Sequence, residues 1–263
     1  MNLLRFFYIL RFSEVTEMIR FLLVLIVLLG FLISSIPLLI GERLAARKDR
    51  KKEQEHCLAV VQAMFRMMIR LTGSQVSVIG LENIPEEAVL YVGNHRSYFD
   101  ILVGYITVPG LTGFVAKKEM LRYPVLSDWM RNVNCLFLDR KNMKEGMKMI
   151  LQGIENVKKG VSVWIFPEGT RCESEDPLAL LPFKEGSLKI AEKSGCPIIP
   201  VAITGTADIF EKHLPFMRPS KVTIHYGEPI YSNRLMPEQR RRIGAYTRDV
   251  IIEMLKEEQA RRA

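Results

Sequence analysis

Ala88-Val89-Leu90-Tyr91-Val92-Gly93-Asn94-His95-Arg96-Ser97-Tyr98-Phe99-Asp100 is the stretch on which the fold turns. Ala88 to Val92 is an apolar run that reads as a buried strand. A polar turn follows, then a second apolar run after Asp100. An imidazole and a carboxylate thus stand five positions apart at a strand end. Residues five apart do not share a face of one continuous helix. The two groups meet only if His95 lies in the turn and Asp100 in the first helical turn. Ser97-x-x-Asp100 supports that placement, because it reads as an N-cap with an acid at N3. By itself the pattern is also that of an ordinary helix start with a loop histidine. If the two groups do meet, the imidazole can take and return a proton near neutral pH. The carboxylate would fix its tautomer and stabilise the cation.

Working outward, strand-like apolar runs recur at Val76–Ile79, Val89–Val92, Gly113–Ala116, Cys135–Leu138, Val161–Phe166, Ile198–Ile203 and Val222–His225. Helical stretches separate them. One is the stripe of Met143, Met147, Ile150, Leu151, Ile154 and Val157, ending at Gly160. Another runs from about 237 to 261, with Ile243, Tyr246, Val250, Ile251 and Met254 on one face. This alternation predicts an α/β fold with a mixed, largely parallel sheet flanked by helices. Ligands in such sheets bind beyond the carboxyl ends of strands. Three further strand ends carry cations: Lys117-Lys118-Glu119, Asp139-Arg140-Lys141, and Phe166-Pro167-Glu168-Gly169-Thr170-Arg171. Arg171 offers a planar fork suited to phosphate, and Gly169 permits close approach to the backbone. Each of these is also what a solvated helix start or a surface turn looks like. Together with the His/Asp pair they point to a phosphate-bearing substrate from which a proton is removed.

Phe21 to Gly41 is 21 residues without a charge, and a spanning helix needs roughly 20 apolar residues. Three arrangements fit: a spanning helix, a secretory signal, or a rod that enters one leaflet and bends at Pro37. No small-x-small cleavage site follows Ser34-Ser35, which counts against the signal. Arg43, Arg47, Lys48, Arg50, Lys51 and Lys52 come next and favour the cytoplasmic side. Such a cluster attracts anionic headgroups by about 1 kcal/mol per basic residue. A second helix over about 54 to 72 carries Met64, Met67, Met68 and Leu71 at helical spacing. The expected organisation is therefore an N-terminal, membrane-associated helical hairpin with its basic cluster over 1–72, and an α/β domain over 73–263. The net charge of +8 calls for an anionic partner. No nucleic-acid motif and no aromatic–basic interleaving is present, so the charge reads as facing a cell membrane from its cytoplasmic side rather than nucleic acid. Cys57, Cys135, Cys172 and Cys196 include no C-x-x-C pair, as expected of reduced thiols rather than of disulfides or a zinc site.

The chain resembles the glycerolipid acyltransferases, and among them the bacterial lysophosphatidic acid acyltransferases. The family's H-x4-D block is similar to Asn94-His95-Arg96-Ser97-Tyr98-Phe99-Asp100. Its second block resembles Gly113-Phe114-Val115-Ala116-Lys117-Lys118-Glu119, and its third Phe166-Pro167-Glu168-Gly169-Thr170-Arg171. Its fourth resembles Ile199-Pro200-Val201-Ala202, preceded by Pro182-Phe183-Lys184-Glu185-Gly186. H-x4-D alone is a weak signal; four blocks in order across 79–227 are a strong one. The resemblance implies acyl transfer from a thioester, of coenzyme A or acyl carrier protein, to the sn-2 hydroxyl of lysophosphatidic acid. His95 would act as general base and Asp100 would orient it. Glu168, Gly169, Thr170 and Arg171 would bind the glycerol phosphate, assisted by Lys117. It implies no metal, no bound cofactor and no acyl-cysteine at Cys172. The alternatives it leaves are another lysolipid acceptor, glycerol 3-phosphate, or a lipid-binding homologue without activity.

Overall fold

The structure, a computed structural model, describes the backbone of residues 3–45 and 49–262 and the side chains of residues 14–42 and 49–262. Of the basic cluster, Arg47, Lys48 and the side chain of Arg43 lie outside the described residues. Arg50, Lys51 and Lys52 are exposed.

Seven strands form one sheet: β1 (Gln75–Ile79), β2 (Leu90–Gly93), β3 (Thr112–Lys117), β4 (Leu136–Leu138), β5 (Ser162–Ile165), β6 (Ile198–Thr204) and β7 (Lys221–Tyr226). Their order is β1-β7-β6-β2-β5-β3-β4. The pairings are parallel except that β6 and β7 are antiparallel. The sheet is thus mixed and largely parallel, as the alternation predicts. β2, β5 and β6 lie in its middle with both faces covered, which is why they read as unbroken apolar runs. Their side chains alternate between two cores. Tyr91, Trp164, Ile199 and Val201 face one side, while Leu90, Val92, Val163, Ile165 and Ile198 face the other.

The first side is covered by α1 (Leu3–Ser34), α2 (Ile36–Ala45), α3 (Arg50–Thr72), α4 (Phe99–Thr107) and α5 (Pro124–Asn132). The second is covered by α6 (Met143–Lys158), α7 (Glu185–Ser194) and α9 (Ile243–Arg262), the last preceded by the short α8 (Pro237–Arg241). Gly113 shows how tightly the edge closes. A Cβ there would lie 1.9 Å from the backbone oxygen of Asn134, which itself adopts φ 61°. Only glycine permits that approach.

The apolar N-terminal segment is bent rather than continuous. α1 stops at Ser34, and α2 resumes at Ile36 with Pro37 in its first turn, where the missing N–H costs nothing. One face of α1 docks on the domain. Phe21 stacks on Phe210 at 5.7 Å, Phe31 meets Trp129 at 5.1 Å, and Trp129 Nε1 donates to Ser35 Oγ at 2.8 Å. Arg218 pairs with the buried Glu17 at 3.0 Å. The opposite face exposes Val15, Ile19, Leu22, Ile26, Leu29 and Ile33, and α2 adds Ile36 and Ile40. By length and composition the segment Glu14–Ser34, with a mean hydropathy of 2.4, is sufficient to cross a membrane.

Three helices differ from the sequence reading. α3 starts at Arg50, not 54, because Asp49 caps it by accepting the Lys52 N–H at 3.2 Å. On α6 the expected stripe is half right: Ile154 and Val157 are buried and Ile150 packs against the same core. Met143, Met147 and Leu151 are exposed, whereas Met149, Gly153, Ile154 and Val157 are buried. Gly153 sets that phase, since Ile190 and Leu136 pack where its side chain would be. The last helix is two pieces, broken at Arg242. Glu185 on α7 accepts the N–H groups of Gly244 (2.8 Å) and Ala245 (3.2 Å) and so caps a new start.

Candidate active site

β2 delivers His95 to the carboxyl end of the sheet, beside the end of β5. The His95 ring stacks on Phe166, the residue after β5, at 4.2 Å and 13°. Beneath lies a column of aromatics, with Phe114 on Trp164 at 4.9 Å and Trp164 on Tyr91 at 5.0 Å. This floor fixes the plane of the imidazole.

Its rotation is fixed by Asp100. His95 Nδ1 lies 2.9 Å from Asp100 Oδ2, and Asp100 is fully buried. Oδ2 also accepts the backbone N–H groups of Arg96 (2.7 Å) and Ser97 (2.8 Å), and Oδ1 accepts the Thr206 hydroxyl at 2.5 Å. Four donors on one carboxylate hold it in a single orientation. His95 Nε2 bonds to no described residue and is the nitrogen left to face a substrate. The histidine is 16% exposed at its side chain, enough for one face to be reached.

The capping box is half realised. Asp100 reaches back to the Ser97 N–H as the pattern predicts. The Ser97 hydroxyl, however, accepts from Phe99, two residues on, at 2.9 Å. The reason is Tyr98, which is already in the helical region at φ −59° and becomes the residue before α4.

The 166–171 turn wraps the same loop. Glu168 is buried; Oε1 accepts the His95 N–H at 2.7 Å and Oε2 accepts the Leu181 N–H at 2.8 Å. Burial pushes its carboxyl above the usual range, against the pull of those two N–H groups. The Cys172 N–H donates to the His95 carbonyl at 2.8 Å, and Cys172 Sγ donates to the Ala179 carbonyl. Gly169 has φ 78°, and a Cβ there would meet Lys184 Nζ at 2.7 Å. Lys184 therefore brings an ammonium group to this turn. Thr170 is exposed. Arg171 lies over the Tyr98 ring at 3.9 Å and bonds Glu211 Oε1 at 3.1 Å.

His95, Asp100, Glu168 and Arg171 thus come together around one loop. Lys117 is exposed at the end of β3, one strand beyond β5; its backbone pairs with β4 and its ammonium group bonds to no described residue. Lys118 and Lys141 instead engage Asp139 through Nζ (3.2 Å) and backbone N–H (2.9 Å), holding its carboxyl below the usual range. Thr206 and Glu211 escape sequence reasoning, and Lys184 enters it only as part of the run Pro182 to Gly186, with no role of its own. Thr206 sits two residues past the end of β6, a strand-end position with no residue pattern that singles it out. Glu211 lies in a short helical turn with no motif around it.

A histidine held by a buried carboxylate, at the strand ends of an α/β sheet, is the arrangement of a general-base site. The chain belongs to the acyltransferase family, whose model matches residues 75–204. A probable 1-acyl-sn-glycerol-3-phosphate acyltransferase of Mycoplasma genitalium is 33% identical over 204 residues, 74% of each chain. The 1-acyl-sn-glycerol-3-phosphate acyltransferase of Saccharomyces cerevisiae is 31% identical over 74% of this chain, which spans 65% of that enzyme's length. The crystal structure of the 1-acyl-sn-glycerophosphate acyltransferase PlsC from Thermotoga maritima superimposes with a TM-score of 0.79 at 28% identity. That match covers 94% of this chain and 98% of PlsC.

Proposed function

We propose that the protein moves a fatty acyl group from a thioester to the sn-2 hydroxyl of lysophosphatidic acid, giving phosphatidic acid. The observation that carries the reading is the 2.9 Å bond from His95 Nδ1 to a buried, four-donor Asp100, with Nε2 left open. Nε2 takes the proton of the acceptor hydroxyl as its oxygen attacks the thioester carbonyl. A C–O bond forms, the C–S bond breaks, and the imidazolium returns the proton to the leaving thiolate. Asp100 stabilises that imidazolium without taking its proton. General base catalysis supplies ~10²–10⁴-fold, and positioning of the two substrates supplies much of the rest.

Arg171 binds the glycerol phosphate through a charge-assisted contact, with Gly169 and Thr170 shaping the turn and Lys117 adding charge from β3. Glu168 has a different part from the one the motif suggests. Both its oxygens already hold backbone N–H groups, so it fixes the histidine loop rather than the ligand. The donor is an acidic thioester, of coenzyme A or acyl carrier protein.

The protein sits on the cytoplasmic face of the cell membrane. The exposed apolar face of α1 and α2 enters one leaflet, and the basic residues after it meet the headgroups. The docking of α1 along the domain, from Glu17 to Ser35, favours this over a span, which would pull the helix away.

Acyl transfer in detergent micelles tests the proposal. Lysophosphatidic acid is the acceptor and both thioesters are supplied as donors. Phosphatidic acid made by the wild type, and lost in His95→Ala with an unchanged thermal melt, is the expected result. Acyl transfer that survives His95→Ala refutes the mechanism. Transfer only to another lysolipid refutes the acceptor.

A further inference from the structure

Glu211 lies outside the residues matched by the family and 40 positions from Arg171, yet it binds both halves of the site. Its Oε2 accepts the Ser97 hydroxyl at 2.7 Å. Its Oε1 accepts the Tyr98 N–H at 2.7 Å and the Arg171 Nη1 at 3.1 Å. Tyr98 meanwhile carries the ring against which the Arg171 guanidinium lies, at 3.9 Å from its centroid, and its hydroxyl accepts from Nη2 at 3.3 Å. The guanidinium is therefore held on one face by a ring and on one edge by a carboxylate. The backbone of the ring's own residue hangs from that same carboxylate. Glu211 is 16% exposed and Arg171 31%, so the pair is partly screened from water.

We infer that Glu211 is the positioning residue of the phosphate site: it aims Arg171 at the acceptor's phosphate and ties that aim to the loop carrying His95. The inference rests on the reading of Arg171 as the phosphate-binding cation. Arginine presents five donors in a rigid fork. Glu211 and the Tyr98 hydroxyl engage two of them and leave the Nε side free for a phosphate. Without the carboxylate the side chain regains its rotamers, and the acceptor must order it on binding. The expected cost falls on acceptor affinity more than on turnover.

Glu211→Gln separates the charge from the shape. The amide oxygen still accepts the Tyr98 N–H, and the amide nitrogen can donate to Ser97 Oγ, so the loop keeps its bonds while the hold on Arg171 becomes neutral. The guanidinium still donates to the amide oxygen, but the attraction between two partly screened unit charges is gone. The KM for lysophosphatidic acid is expected to rise about five- to tenfold in Glu211→Gln, with kcat falling by less. In an Arg171→Ala background the same change is expected to alter KM less than twofold. An equal rise in both backgrounds overturns the inference, as does a loss of kcat at unchanged KM. Ser97→Ala gives the loop's share alone, and a KM rise there as large as in Glu211→Gln also overturns it. Arg171→Ala with an unchanged KM overturns the phosphate reading itself, a result distinct from all of these.

Discussion

Thr206 donates its hydroxyl to Asp100 Oδ1 at 2.5 Å, across 106 positions of sequence. The bond joins the end of β6 to the start of α4 and leaves neither oxygen of Asp100 unpaired. Thr206→Val keeps the shape and removes the donor. A buried acceptor left unsatisfied costs about 1–3 kcal/mol. Thr206→Val is expected to lower kcat about tenfold while the KM of either substrate stays within about threefold. Steady-state kinetics with both substrates varied checks this. Asp100→Asn is expected to cost more, about 10³-fold or beyond, because the amide stabilises neither the tautomer nor the cation.

Glu168 holds two backbone N–H groups from the core of the site. Glu168→Ala leaves both without a partner and is expected to destabilise the fold by about 2–4 kcal/mol. Glu168→Gln retains one acceptor and should fall between the wild type and the alanine variant. Urea unfolding of the three proteins orders them. Equal stability would mean that the loop finds other partners.

Gly169 adopts a positive φ and faces the end of Lys184. Gly169→Ala is expected to destabilise by about 1–2 kcal/mol for the left-handed backbone alone, since the lysine tip can swing aside. Its effect on the KM for lysophosphatidic acid should exceed its effect on the KM for the thioester, because the proposed phosphate contact is made from this turn.

The outward face of α1 gives a prediction about binding to lipid. Ile26 and Leu29 are exposed and belong to neither hydrophobic core. Ile26→Lys with Leu29→Glu should leave the thermal melt within about 2 °C, since surface changes are usually small. A charge at the centre of a spanning helix costs about 2.5–3.5 kcal/mol and less toward the interface, so two of them should lower vesicle binding more than tenfold. Co-flotation with anionic vesicles measures it. Unchanged binding would place the contact surface elsewhere.

His225 supplies a pH dependence of stability. It lies on β7, its Nδ1 is buried without a partner, and burial, helped by Arg261, holds its pKa below the ordinary value of 6.5. Below 6.5 the unfolded chain takes up a proton that the folded state resists. This contribution is therefore full above that pH and is lost as pH falls through it. Unfolding by urea at pH 7.5 and 5.5 should show a smaller drop in stability for His225→Gln than for the wild type.

The sheet was readable because its strands are buried on both faces and so form apolar runs between turns. Helix phase was harder. On α6 the apolar pattern finds Ile150, Ile154 and Val157 but also admits Met143, Met147 and Leu151, because the face that packs contains Gly153, whose contribution is an absence of atoms. Within the site, His95 and Asp100 were legible because their spacing means something only at a strand-to-helix turn. Glu168 was legible as a member of the site but not in its part, since a motif does not say whether a carboxylate faces a ligand or a backbone. Thr206 and Glu211 were invisible for a simpler reason. Each meets its partner through the folding of distant segments, and neither carries a local pattern that marks it.

The loop from His95 to Asp100 has one further property. Its backbone N–H groups go to Glu168, Asp100, Glu211 and the Ser97 side chain and carbonyl, in that order along the chain. All are engaged within the protein. When a hydroxyl adds to a thioester, the carbonyl oxygen becomes an oxyanion, and aimed donors for it are commonly the largest single contribution to catalysis. The backbone of this loop has no N–H to spare for that oxygen. On the proposed mechanism the division of labour is therefore spatial: the turn after β2 handles the proton, and the charge on the acyl carbon's oxygen falls to side chains or to another part of the sheet edge.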